Sequence, residues 1–197
     1  MTTPRPGESA GMLEIRIHGR GGQGAQVACQ ILADAFSRAG AWVQAFAAYG
    51  AERRGAPVIA FLRVDDRPIR LRCDIEQPDH VLVLDPTLLG DLGAADIHEG
   101  GTLVVNSPAA PCGFLPAAER VVALDASAIA RRLGLGPIVS TAILGGFAGA
   151  TRLVTLEDLT RAVEARSPVK KDENVAACTM AYLETAYPHG METLDAW

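Results

Sequence analysis

The 197-residue chain is 49% apolar and 21% charged, with 5% aromatics and a formal net charge of −5, the composition of an ordinary globular domain with a real core. That charge excludes the strongly basic footprint of a nucleic-acid binder, for which a pI above ~9 is the mark. The longest nearly apolar stretch, residues 138–150, falls short of the ~20 residues that span a bilayer, so no membrane span is expected.

Residues 1–12, MTTPRPGESAGM, carry no apolar signal-peptide core and read as a flexible leader, with a cytoplasmic location expected. Leu13 to His18 alternates apolar and polar residues and predicts a strand; Val27, Ile31, Leu32, Ala35 and Phe36 then predict an amphipathic helix over 22–39, closed by Gly40. Strands are expected at 42–48 and 58–64. The turn DDRP followed by IRLRC makes residues 57–73 an expected antiparallel hairpin. The apolar runs 81–84 and 103–105 end in Asp85-Pro86 and Asn106-Ser107-Pro108, and suit strands covered on both faces by helices.

After a strand at 121–124 and a helix near 126–133, the chain turns helical. Ser140 or Thr141 is expected to cap a helix running to Thr151, Thr155 and Asp158 resemble a capping box, and a last helix should run from 173 to 187. The expected architecture is α/β: a single domain over 13–187 with a mostly parallel, helix-covered sheet, an inserted antiparallel hairpin and C-terminal helices, before a tail at 188–197. Charge is uneven, with ten arginines against six acids through residue 72 and eight Lys/Arg against seventeen acids thereafter. The first part can therefore serve an anionic small molecule or an acidic partner.

The stretch HGRGGQG at 18–24 satisfies the G-x-G-x-x-G spacing of dinucleotide folds, in which backbone N–H groups and a helix N-terminus receive phosphate. Such folds place an acid at the end of the second strand to hold the ribose. Here that strand, AWVQAFAAYG, has none; Glu52 lies beyond it, followed by Arg53 and Arg54. Cys29, Cys73, Cys112 and Cys178 form no C-x-x-C pair, so neither a zinc site nor an iron–sulfur cluster is expected on this chain. His18 is read as a strand-end hydrogen-bonding residue ahead of a proton shuttle. Asp85, at the edge where α/β folds bind ligands, is read as a turn former ahead of a ligand contact, and the small residues of 145–150 as packing residues ahead of ligand contacts.

HGRGGQG at 18–24, YGAERRGAPVIAFLRVDDRPIR at 49–70, PDHVLVLDPTLL at 78–89 and STAILGGFAGAT at 140–151 with Asn174 together resemble the gamma subunit of 2-oxoacid:ferredoxin, or other acceptor, oxidoreductases. The resemblance implies a complex that oxidatively decarboxylates a 2-oxoacid to an acyl-CoA. Thiamine diphosphate, Mg and 4Fe-4S clusters would lie on alpha, beta and ferredoxin-like delta partners. For this chain it implies coenzyme A (CoA) binding and scaffolding, with Gly21, Gly22, Gln23, Gly24, Arg53 and Arg54 facing CoA and no catalytic residue or metal ligand of its own. The alternatives are a purely structural subunit and a free-standing NAD(P)-binding oxidoreductase.

Overall fold

The structure, a computed structural model, describes residues 11–49, 55–92, 97–110 and 118–188; the leader through residue 10, Glu52, Arg53, Arg54, Cys112 and the tail from residue 189 lie outside them. In chain order the elements are β1 (Leu13–Arg20), α1 (Ala25–Arg38), β2 (Trp42–Tyr49), β3 (Pro57–Asp65), β4 (His80–Val83), a 3₁₀ helix (Pro86–Asp91), β5 (Thr102–Asn106), β6 (Arg120–Leu124), α2 (Ala126–Arg132), α3 (Ser140–Thr151), α4 (Leu156–Arg166) and α5 (Lys171–Ala186).

The six strands form one sheet in the order β2-β3-β1-β4-β5-β6. β1, β4, β5 and β6 run parallel to one another, while β3 is antiparallel to both β1 and β2. The antiparallel hairpin is therefore made by β2 and β3, with Trp42 opposite Asp65 and Tyr49 opposite Val58. The expected pairing within 57–73 does not form, because β3 already has a strand on each edge. Residues 69–77 instead have backbone carbonyls taken by side chains of the sheet. Leu71 O accepts from Gln44 Nε2 at 2.6 Å, Asp74 O from Arg63 NH2 at 3.3 Å, and Glu76 O from Arg16 NH1 at 3.3 Å. Arg63, only 1% exposed, also pairs with Glu14 at 2.7 Å and lies over Phe46.

Among the described residues, the parallel strands are not sandwiched between helices. Ile15, Ile17, Leu62, Leu82 and Val104 join all the long helices in one core, whereas the opposite side of β4 and β5, with Val81, Val83, Leu103 and Val105, is covered by Leu89 and Leu92 of the 3₁₀ region and by Ile97. An apolar run needs cover on both faces, and a short 3₁₀ turn with its loop provides it as well as a helix does.

Local signals account for most helix ends. Gly40 (φ 90°) follows α1, with Gly40 N–H donating to Ser37 O and Ala41 N–H to Phe36 O, the paired bonds of a glycine-terminated helix. Thr155 Oγ1 accepts from Asp158 N–H at 3.0 Å and donates to the Asp158 carboxylate at 2.7 Å. Thr155→Ala is expected to cost about 1 kcal/mol in denaturant unfolding. Ser140 and Thr141 do not cap α3. Val139 precedes the helix without a side-chain cap, and both hydroxyl residues lie inside the first turn and are buried. Thr141 Oγ1 is drawn to Asn174 Oδ1 on α5 at 2.9 Å. α3 is buried along nearly its whole length, between the sheet and α5. A Cβ on Gly145 would collide with the Cys178 carbonyl, and one on Gly149 with Tyr182 O and Thr185 Oγ1, so these glycines set the spacing of the two helices.

Candidate functional site

The carboxyl edge of the parallel strands gathers the turn after β1, the turn after β4 and the ends of β5 and β6, where α/β sheets receive ligands. Each glycine of the β1–α1 turn has its own reason. Gly19 is buried, with Leu84 Cδ1 only 2.8 Å from where a Cβ would stand. Gly22 (φ 97°) and Gly24 (φ 88°) take left-handed backbone. Gly22 faces open space, whereas a Cβ on Gly24 would come 2.9 Å from Ser140 Oγ at the start of α3.

The turn is braced from outside itself. Gly21 N–H donates to Ala56 O and Gln23 N–H to Arg20 O, each at 3.0 Å. The Gln23 side-chain amide is turned inward: Oε1 accepts from Arg20 N–H at 2.7 Å, and Nε2 donates to Asp85 Oδ2 at 3.1 Å. Arg20 pairs through Nε with Asp85 Oδ2 at 3.2 Å and donates to Gly55 O at 3.1 Å and Thr87 Oγ1 at 2.9 Å. Asp85 also caps the 3₁₀ helix, accepting at Oδ1 from Thr87 N–H at 3.0 Å and Thr87 Oγ1 at 2.6 Å. Partial burial works to raise the Asp85 pKa, but hydrogen bonds from Thr87 and Gln23 and the Arg20 charge outweigh it, leaving the carboxyl below its ordinary value.

The N–H groups of Gly22, Gly24 and Ala25 meet no acceptor among the described residues. α1 has no side-chain cap and no acid in its first turn, so this end keeps its partial positive charge. Of the expected site residues, Gly21, Gly22, Gln23 and Gly24 stand together here. Arg53 and Arg54 lie outside the described residues, but Gly55 and Ala56, which directly follow them, are bonded to Arg20 and Gly21.

From the sequence Asp85 stands at the ligand edge with a turn former as its favoured role, while neither Arg20 nor Thr87 stands out. The cap itself has a usable signal in Asp85-Pro86, since an acid followed by proline is a helix N-cap pattern. His18 is buried at 6% exposure. Burial pushes the thiols of Cys29 and Cys178 up to about 12, which removes them as nucleophiles; Cys73 is exposed. Among the described residues no three His, Cys, Asp or Glu side chains gather as metal ligands, and no helix is long and apolar enough to cross a membrane.

The topology differs from that of a nicotinamide fold. There the second strand lies beside the first and brings its ribose-binding acid to the glycine turn. Here β3 stands between them, which moves the end of β2 two strand spacings, ~9.6 Å, from β1. Fold and site thus define an α/β domain with an anion-receptive glycine turn and no dinucleotide arrangement.

The family model described as pyruvate ferredoxin/flavodoxin oxidoreductase matches residues 14–184. The common gamma subunit of pyruvate/ketoisovalerate oxidoreductases from Thermococcus kodakarensis is 45% identical over 181 residues, 88% of this chain and 97% of that protein. The crystal structure of the pyruvate oxidoreductase subunit PORC from Thermotoga maritima superposes with a TM-score of 0.72 at 36% identity, covering 87% of this chain and 95% of that one. The chain belongs to the pyruvate ferredoxin/flavodoxin oxidoreductase family, as a gamma subunit of a pyruvate/2-oxoacid:ferredoxin oxidoreductase complex. The fold also recurs in the 2-oxoglutarate:ferredoxin oxidoreductase of Magnetococcus marinus, at a TM-score of 0.71 and 19% identity, over 88% of this chain and 31% of that one.

Proposed function

We propose that this subunit supplies a coenzyme A-facing turn and a scaffold to a cytoplasmic complex in which thiamine diphosphate, Mg and 4Fe-4S clusters are held by alpha, beta and ferredoxin-like delta chains. The complex would oxidatively decarboxylate a 2-oxoacid and transfer the acyl group to the CoA thiol. The observation that carries the reading is the set of open N–H groups at Gly22, Gly24 and Ala25, on the uncapped start of α1. They fit a phosphate oxygen, because a glycine turn lets an anion approach the backbone and the helix end favours its charge. The connection carrying Arg53 and Arg54 ends at Gly55 and Ala56, on the same turn; two guanidinium groups would add bidentate phosphate contacts. The Magnetococcus marinus enzyme that shares this fold was solved with coenzyme A and succinyl-CoA bound.

In the assembled complex, Arg53→Ala with Arg54→Ala is expected to raise the apparent KM for CoA about tenfold or more and to leave thiamine diphosphate binding intact. An unchanged CoA dependence removes both arginines from the site. Native mass spectrometry of the complex purified through this chain should find the alpha, beta and delta partners; a stable lone monomer counts against the proposal.

A further inference from the structure

Asp85 touches none of the N–H groups of Gly22, Gly24 and Ala25, yet two chain segments close on its carboxylate and a third reaches it through Arg20. Oδ1 holds Thr87 through N–H and hydroxyl, which fixes the 3₁₀ helix. Oδ2 holds Gln23 Nε2 at 3.1 Å and Arg20 Nε at 3.2 Å. Gln23 passes the constraint to Arg20 N–H, and the Arg20 guanidinium passes it to the Gly55 carbonyl. The turn is thereby held before any ligand arrives, with the N–H groups of Gly22, Gly24 and Ala25 meeting no acceptor among the described residues. Ordering that is complete in the free protein is not charged against binding.

The chemistry of this hub is specific. An asparagine has the shape of aspartate and keeps one oxygen for Thr87, but sets an NH2 against two donors, Gln23 Nε2 and Arg20 Nε. Turning the Gln23 amide over gives no relief, since it would set a second NH2 against Arg20 N–H.

We propose that Asp85 is a positioning residue for coenzyme binding, acting through Gln23 and Arg20 to hold the glycine turn in binding geometry; this rests on the coenzyme A reading above.

In the assembled complex, Asp85→Asn is expected to speed amide hydrogen exchange at residues 21–25 about tenfold and to raise the apparent KM for CoA about tenfold, the change falling on KM and not on kcat. The KM for the 2-oxoacid should not move. Asp85→Asn combined with Gln23→Glu lets the new carboxylate at position 23 accept from the new NH2 at position 85 and keeps a negative charge beside Arg20, so only the clash at Arg20 Nε persists and part of the CoA affinity should return. Gln23→Leu severs only the turn arm of the hub and gives the same KM split if Asp85→Asn does not assemble. An unchanged exchange rate or CoA KM in the single variants, or no recovery in the double variant, overturns the positioning role. Saturating CoA that leaves exchange at 21–25 unaltered in the unsubstituted complex overturns the coenzyme reading itself.

Discussion

Replacing Gly145 by alanine is expected to destabilise the fold by about 3 kcal/mol, although alanine in a helix interior is ordinarily better than glycine by about 1 kcal/mol. The sign reverses because α3 is buried against α5, and a Cβ at Gly145 would strike the Cys178 carbonyl and crowd the Cys178 Cα at 3.0 Å. These are backbone atoms of a neighbouring helix and cannot swing aside as a side-chain tip can. Relief requires α5 to retreat, and that opens the contacts of Ala177, Cys178 and Ala181 with the core. The consequence reaches the site, since Ser140 at the start of α3 lies under Gly24. Denaturant unfolding of the full chain measures the loss; a Gly145→Ala chain as stable as the parent would show that the interhelical spacing is not held by these glycines.

The second large effect concerns pH. His80 begins β4 on the helix side of the sheet, its ring edge-on to Phe147 at 5.4 Å, and its Nδ1 accepts the Thr102 N–H at 3.2 Å. Nδ1 is therefore the unprotonated nitrogen, and adding a proton would set donor against donor. Burial lowers the pKa from 6.5 to about 4, outweighing the opposing pull of the Asp79 charge. Between those values the unfolded chain takes up a proton that the folded chain refuses. Stability from this group is therefore complete above pH 6.5 and is lost as pH falls toward 4, to a total of about 3 kcal/mol. His80→Gln keeps an acceptor for Thr102 and does not titrate, so the difference between the two stability curves, set to zero at pH 4, should grow to about 3 kcal/mol by pH 6.5. Parallel curves from pH 4 to 6.5 would falsify the assignment. Glu184, raised by burial and by Asp125, works in the opposite sense in both proteins and cancels in the difference.

Most elements were legible because their signals are local. The period-two alternation of Leu13 to His18 marks β1, the recurrence from Val27 to Phe36 marks α1, and a threonine three residues before an aspartate marks the start of α4. Where the reading of 57–73 went astray, the alternation of Ile69, Arg70, Leu71 and Arg72 was real, but a strand also needs a free edge. β2 and β1 had taken both edges of β3. The hydroxyls of Ser140 and Thr141 were likewise suited to a cap, but packing against Gly24 and Asn174 claimed them.

The candidate site divides in the same way. Gly21 to Gly24 were visible because a glycine turn between a strand and a helix is written in consecutive residues, and the lack of an acid in AWVQAFAAYG already argued against a dinucleotide. The partnership of Arg20 and Gln23 with Asp85, 62 residues beyond Gln23, was not visible.

By itself the sequence determined the α/β class, the glycine turn between β1 and α1 and, through blocks spread along most of the chain, the family. Only the tertiary structure decided that β3 separates β2 from β1 and that one carboxylate braces the turn. Strand order and long-range hydrogen bonds depend on which edges and which buried polar groups still need partners once the core has closed, and no window of adjacent residues carries that information.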